Sequence, residues 1–162
     1  MTDIRTHYLD ASAIVKLLVE KDGSLALRNY VEQHAVFCTT SICFAETLGV
    51  LKSKFLRVKS FDQEQYLSAC EDLMGLLRDE NLVIDDVGIS TRVVFDEVED
   101  LTKKHAKVDI SDTYQLVTLK RGKFSKYSGE SSPILITADE RLAGAARAEG
   151  MRVWDCLREP AP

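Results

Sequence analysis

The sequence predicts an α/β fold around a mainly parallel sheet. Two observations carry this. Short apolar runs bounded by polar residues alternate with helical periodicities along the whole chain, and acidic residues stand where several of those runs end. The 162 residues suit a single domain, which at this size buries about 70% of its unfolded surface and needs no covalent staple.

The elements follow in order. Residues 6–9 read as a first strand closed by Asp10, followed by helical patterns over 12–20 and 24–33. Residues 36–39 (Val-Phe-Cys-Thr) form a second strand. Residues 41–55 read as a helix capped by Thr40 or Ser41. A long helical pattern over 62–80 starts at an acidic cap, Asp62. Leu82-Val83-Ile84 is a short third strand, and two further helices cover 90–105 and 111–121. Ile134–Thr137 is a fourth strand. A helix over 140–149 stops at Gly150, and Arg152-Val153-Trp154 is the last strand. The stretch from Gly122 to Ser132, rich in Lys, Ser and Gly, reads as an exposed loop. The domain is expected to span residues 1–158, with 159–162 a frayed tail.

Composition narrows the function classes. A net charge of -5 argues against a generally basic nucleic-acid coat but leaves room for a local basic stripe. Cys38, Cys43, Cys70 and Cys156 form no C-x-x-C pair and read as core residues of a reducing compartment. His7, His34 and His105 share no metal-ligand spacing, so a zinc site is not expected. The first apolar stretch is broken by Asp10, Ser12 and Lys16 and lacks the form of a signal peptide. The expectation is a soluble cytoplasmic protein.

Four separated carboxylates, Asp10, Glu46, Asp112 and Asp139, stand out. In an open parallel sheet, residues after the strands converge at the carboxyl edge, where ligands bind. Asp10 and Asp139 follow strands, where an aspartate equally serves as a helix cap. Ser12 is either that cap or a hydroxyl supporting a metal-bound water. Glu46 shares a helix face with Ile42 and Val50, an apolar setting that disfavours a lone carboxylate unless it is paired or metal-bound. Asp112 shares a face with Leu116 and Leu119, while Asp109 reads as the cap of that helix. Acids gathered in one cleft repel each other unless a cation or shared protons relieve them. A divalent metal that cuts phosphodiesters is the simplest use of such a pocket. Asp85 and Asp86 are rivals, since they too follow a strand. The run Asp96, Glu97, Glu99 and Asp100 reads as a solvated face.

Several segments resemble PIN-domain nucleases. Tyr8-Leu9-Asp10-Ala11-Ser12-Ala13 looks like the family's opening motif and Phe44-Ala45-Glu46 its second. Val108-Asp109-Ile110-Ser111-Asp112 looks like the third, and Ile136–Leu142, with Asp139, the fourth. The resemblance implies a three-layer α/β/α fold and an Mg²⁺- or Mn²⁺-dependent ribonuclease. Asp10 and Asp112 would be the principal metal ligands, Glu46 and Asp139 would complete the pocket, and Thr137 would be a supporting hydroxyl. The short format is similar to VapC-type toxins, which implies a homodimer and a partner antitoxin. The inserted 122–132 stretch departs from the family's usual quick passage into the fourth-motif strand.

RNA must also be attracted to an acidic pocket. Lys52, Lys54, Arg57 and Lys59 form one basic stretch; Lys120, Arg121, Lys123 and Lys126 form another, interleaved with Phe124 and Tyr127. Two other readings compete with the nuclease: a non-cutting PIN-like module that binds RNA or a partner, and a phosphatase or receiver-type protein with Asp10 as phospho-acceptor. Against the latter, haloacid-type phosphatases want an Asp where Ser12 stands.

Overall fold

A computed structural model describes residues 6–34, 37–125 and 132–162. Five parallel strands form one sheet: β1 (His7–Leu9), β2 (Phe37–Thr39), β3 (Leu82–Ile84), β4 (Ile134–Thr137) and β5 (Arg152–Asp155). Their order is β3-β2-β1-β4-β5, so the direction of winding reverses between β1 and β4. The helices are α1 (Ala11–Leu18), α2 (Ser24–Glu32), α3 (Ser41–Leu56), α4 (Gln63–Arg78), α5 (Arg92–Lys104), α6 (Ile110–Arg121) and α7 (Glu140–Ala148).

Successive side chains of a strand point to opposite faces, and the two cores follow that alternation. On one face Leu9, Phe37, Ile134 and Ile136 pack with Ile14, Leu27, Leu51 and Leu73 of α1–α4. On the other, Tyr8, Cys38 and Leu135 pack with Val98, Leu116, Leu142 and Ala146 of α5–α7. Helices thus cover both faces, giving the expected three layers. Each fully buried Leu or Ile contributes about 1.5–3 kcal/mol of transfer free energy. Burial holds the Cys38, Cys43 and Cys156 thiols up at about 12, and all four cysteines are free.

Local chemistry explains the element boundaries. Thr40, rather than Ser41, caps α3 by accepting the Cys43 amide at 3.1 Å. Asp62 and Gln65 form a reciprocal capping box at the start of α4. Gly150 stands just past α7 at φ 76°, a backbone that favours glycine. Glu159, read as the first residue of a frayed tail, is held: its carbonyl accepts the Trp154 indole N–H at 3.1 Å and its carboxylate accepts the Asp155 amide. Residues 160–162 are exposed. Among the described residues no helix is long and apolar enough to cross a membrane. The second strand's Val36 and most of the inserted loop, with Lys126 and Tyr127, lie outside the described residues.

Candidate active site

The reversal between β1 and β4 opens a crevice at the carboxyl ends of the strands, and the chain places an acid on each side of it. Asp10 follows β1 and caps α1, its Oδ1 accepting the Ala13 amide at 2.9 Å. Asp139 follows β4 and caps α7, its Oδ1 accepting the amides of Arg141 (2.7 Å) and Leu142 (3.3 Å). Only Oδ1 is used in this way, so a cap and a site residue are the same side chain.

Two hydroxyls stitch the crevice. Thr137 donates to Asp10 Oδ2 at 2.8 Å and accepts the Asp139 amide at 2.9 Å. Ser12 donates to Asp10 Oδ1 at 2.8 Å and accepts the Ala138 amide at 2.8 Å. Asp10 is therefore fixed in one orientation across the β1–β4 boundary, with both oxygens already accepting hydrogen bonds.

The other two acids arrive on helices. Cys43, Thr47 and Leu51 form the buried face of α3, which leaves Glu46 half-buried on the cavity side. Val50, one turn further on, is exposed and lines the same cavity, so this face is a cavity wall and not core. Glu46 is paired, by the Ser111 hydroxyl at 2.8 Å. Asp112 lies in the first turn of α6, one residue beyond that serine. Asp109 occupies the N-cap position of α6, yet its side chain makes no capping hydrogen bond and instead lines the cavity.

Asp10, Glu46, Asp112 and Asp139 all line one cavity of about 400 Å³, together with Ser12, Asp109, Lys16 and Lys21. A larger cavity, about 920 Å³, opens beside α4 against Leu17, Leu67 and Met74, and holds none of the four acids. Size here does not mark the chemistry; the gathering of charge does. Burial pushes the Asp10 carboxyl up to about 6, against the pull of its hydrogen bonds from Ala13, Thr137 and Ser12. Burial, and then the neighbouring Asp10, Glu46, Asp139 and Asp109, push Asp112 up to about 7. Burial is the larger cause for both, and the repulsion added to it shows that these acids lie near one another.

A domain-family model agrees with this geometry: the PIN domain matches residues 7–148. The chain belongs to the PIN-domain family. PIN domains are generally nucleases. In structure this PIN domain is similar to PAE2754 from Pyrobaculum aerophilum, with a TM-score of 0.58 and 14% sequence identity over 94% of this chain and 90% of that one, a likeness of fold. No curated protein matches the sequence.

The PIN domain's donor set suits a hard divalent cation, being carboxylate oxygen throughout. Among the described residues no three acids converge into a ready-made cage.

The rival acids have other duties. Asp85 is buried and accepts hydrogen bonds from the Tyr8 hydroxyl, the Lys123 amide (3.0 Å) and the Phe124 amide (3.2 Å). Asp86 accepts the Ser41 amide at 2.9 Å. The second basic stretch is largely spent. Lys120 is paired with Glu149 at 3.0 Å, and Arg121 is paired with Glu97. In the first stretch Lys52, Arg57 and Lys59 are exposed, and Lys54 lies over the Phe61 ring at 5.7 Å. Sequence reasoning missed Lys16 and Lys21 as cavity residues. The available signal was their position on and just after the helix that Asp10 begins.

Proposed function

We propose that the protein is an Mg²⁺- or Mn²⁺-dependent endoribonuclease that hydrolyses phosphodiester bonds of single-stranded or looped RNA. The observation that carries this reading is the convergence of Asp10, Glu46, Asp112 and Asp139 on one cavity at the β1–β4 crevice.

Asp10 and Asp112 are the residues to hold the cation, and Glu46 and Asp139 flank them. A bound divalent ion supplies an activated water at neutral pH and offsets the charge that builds on the phosphate. The chain's own part is positioning. Ser12 and Thr137 lock the Asp10 carboxylate, so its orientation costs no entropy when substrate arrives. Ser111 holds Glu46 through Oε1 and leaves Oε2 without a protein partner among the described residues. Asp139 spends Oδ1 on its cap, and no protein hydrogen bond uses Oδ2 among the described residues. The carboxylates must be ionised to serve, and the raised values of Asp10 and Asp112 mean that protons compete with the cation below about pH 7.

The resemblance to VapC-type toxins supports a cellular role as the toxin of a toxin–antitoxin pair, acting in the cytoplasm as a homodimer restrained by an antitoxin. Incubating the purified protein with structured cellular RNAs and Mg²⁺ or Mn²⁺ tests the activity. Cleavage is expected with either ion and none after chelation. Cleavage that persists in Asp10→Asn or Asp112→Asn overturns the site. Expression that arrests growth, relieved by the product of a neighbouring small reading frame, is the result expected of a toxin. A monomer mass in light scattering removes the dimer.

A further inference from the structure

We propose that Lys16, Lys21 and Lys54 form a phosphate subsite beside the acidic cavity, seating a backbone phosphate of the RNA strand next to the one presented to the carboxylates. The inference rests on the ribonuclease reading above and adds to it the direction in which the strand leaves the acids.

Three observations carry it. First, Lys16 and Lys21 line the same cavity as the four acids, on the side formed by α1 and the turn that follows it. Second, the three ammonium groups are gathered. Lys16 is buried and donates to the Asp22 carbonyl, which pins it in place, and Lys54 and Lys16 are both near enough for their charges to act on Lys21. Third, none of the three has a carboxylate partner among the described residues. Other cations of the fold do have one: Lys103 with Glu99, Lys104 and Lys120 with Glu149, Arg147 with Glu159 and Arg158 with Asp155.

Gathered like charges are unfavourable until an anion joins them. Burial first, and then Lys54 and Lys16, pull Lys21 below its usual value, which is the strain an anion would relieve. The anion that fits is a phosphodiester of the bound strand. A polymer that brings one phosphate to the carboxylates carries the next one along the same cavity wall. Opposite charges side by side would also fix the register of the strand, since the acids repel every phosphate not met by a cation.

The test measures binding, not turnover. In an Asp10→Asn background, a fluorescent single-stranded RNA oligonucleotide is titrated by anisotropy at several KCl concentrations with Mg²⁺ held constant. Lys21→Gln and Lys54→Gln are each expected to reduce the slope of log Kd against log[KCl] by about 0.7, the value of one single-strand phosphate contact, and the double variant by about 1.4. Lys21→Arg should retain the slope. Arg152→Gln, exposed at the start of β5 and so at the opposite end of the sheet, should leave it unchanged. Thermal melts confirm that each variant is folded. An unchanged slope in the double variant, or an equal loss in Arg152→Gln, overturns the subsite; the lysines then remain open to an acidic segment of a protein partner. Cleavage by the wild-type chain on the same RNA separates the two readings. Cleavage with unaltered slopes sinks the subsite alone, whereas reduced slopes without any cleavage keep the subsite and sink the nuclease.

Discussion

Asp10 and Asp85 look alike in the sequence and are opposites in the fold. Each follows a short parallel strand, and each is almost wholly buried, at 4% and 3% exposure. Asp85 sits among donors, since Tyr8 and the Lys123 and Phe124 amides all point at it, and no cavity acid adjoins it. Asp10 also accepts hydrogen bonds, but it shares its cavity with Glu46, Asp112 and Asp139. The first arrangement is complete in itself and fastens the start of the inserted loop to β3. The second gathers more carboxylates than it has lysines to offset them. The lesson is that a buried acid is read by its neighbours' charge, not by its position after a strand.

Experiments can break this contrast at its strongest point first. Asp112→Asn and Asp10→Asn should each lower metal-dependent RNA cleavage by at least about 100-fold, the scale of losing a principal electrostatic group. In metal-free protein their melting temperatures should not fall, because each exchange removes a charge that burial and then its acidic neighbours disfavour. Asp85→Ala should do the reverse. Leaving its donors buried and unmatched should cost on the order of 3 kcal/mol in denaturant unfolding, with cleavage per folded molecule nearly preserved. Loss of cleavage without loss of stability at Asp85 would erase the distinction.

The effect of pH is smaller and sharpens the same point. Asp10 and Asp112 are raised in the folded chain from 3.8 to about 6 and about 7. A raised acid binds its proton more tightly folded than unfolded. Its destabilising effect is therefore absent below about pH 4, grows as pH rises, and is constant above about pH 7. Metal-free protein should lose stability across that window, as followed by thermal melts. The stabilisation produced by added Mg²⁺ should be greatest at its upper end. Asp112→Asn should flatten the profile. The smallest effect is expected at Ser111→Ala, which frees Glu46. A lost hydrogen bond of about 1 kcal/mol corresponds to roughly fivefold in kcat/KM, with little change in melting temperature.

Much of the fold was legible because its signals are local. The first four strands are short apolar or aromatic runs that end at a polar residue, and the caps at Thr40, Asp62 and Asp139 mark helix starts that need only their own next few residues. The residues of the acidic quartet were legible because acids after strands and on apolar helix faces are costly without a purpose. What stayed hidden depends on partners distant in sequence. Ser111 meets Glu46 across 65 residues. Lys120 and Arg121 read as a basic stretch because Glu149 and Glu97, which pair with them, lie 29 and 24 residues away. Asp109 reads as a cap, and stands at the cap position, but its carboxylate is turned to the cavity, where the other acids are. Asp85 could not be told from Asp10 until its tyrosine, 77 residues earlier, was in place.

The winding order has a consequence for the chain as it is made. β1 lies between β2 and β4, so the sheet's middle strand gains its second neighbour only after residue 134 has been joined. Until then Thr137 is absent from Asp10, and Asp139 does not exist. No shorter nascent chain carries an assembled centre. Any cleavage at this centre, as proposed above, can therefore begin only after residue 139 has been joined.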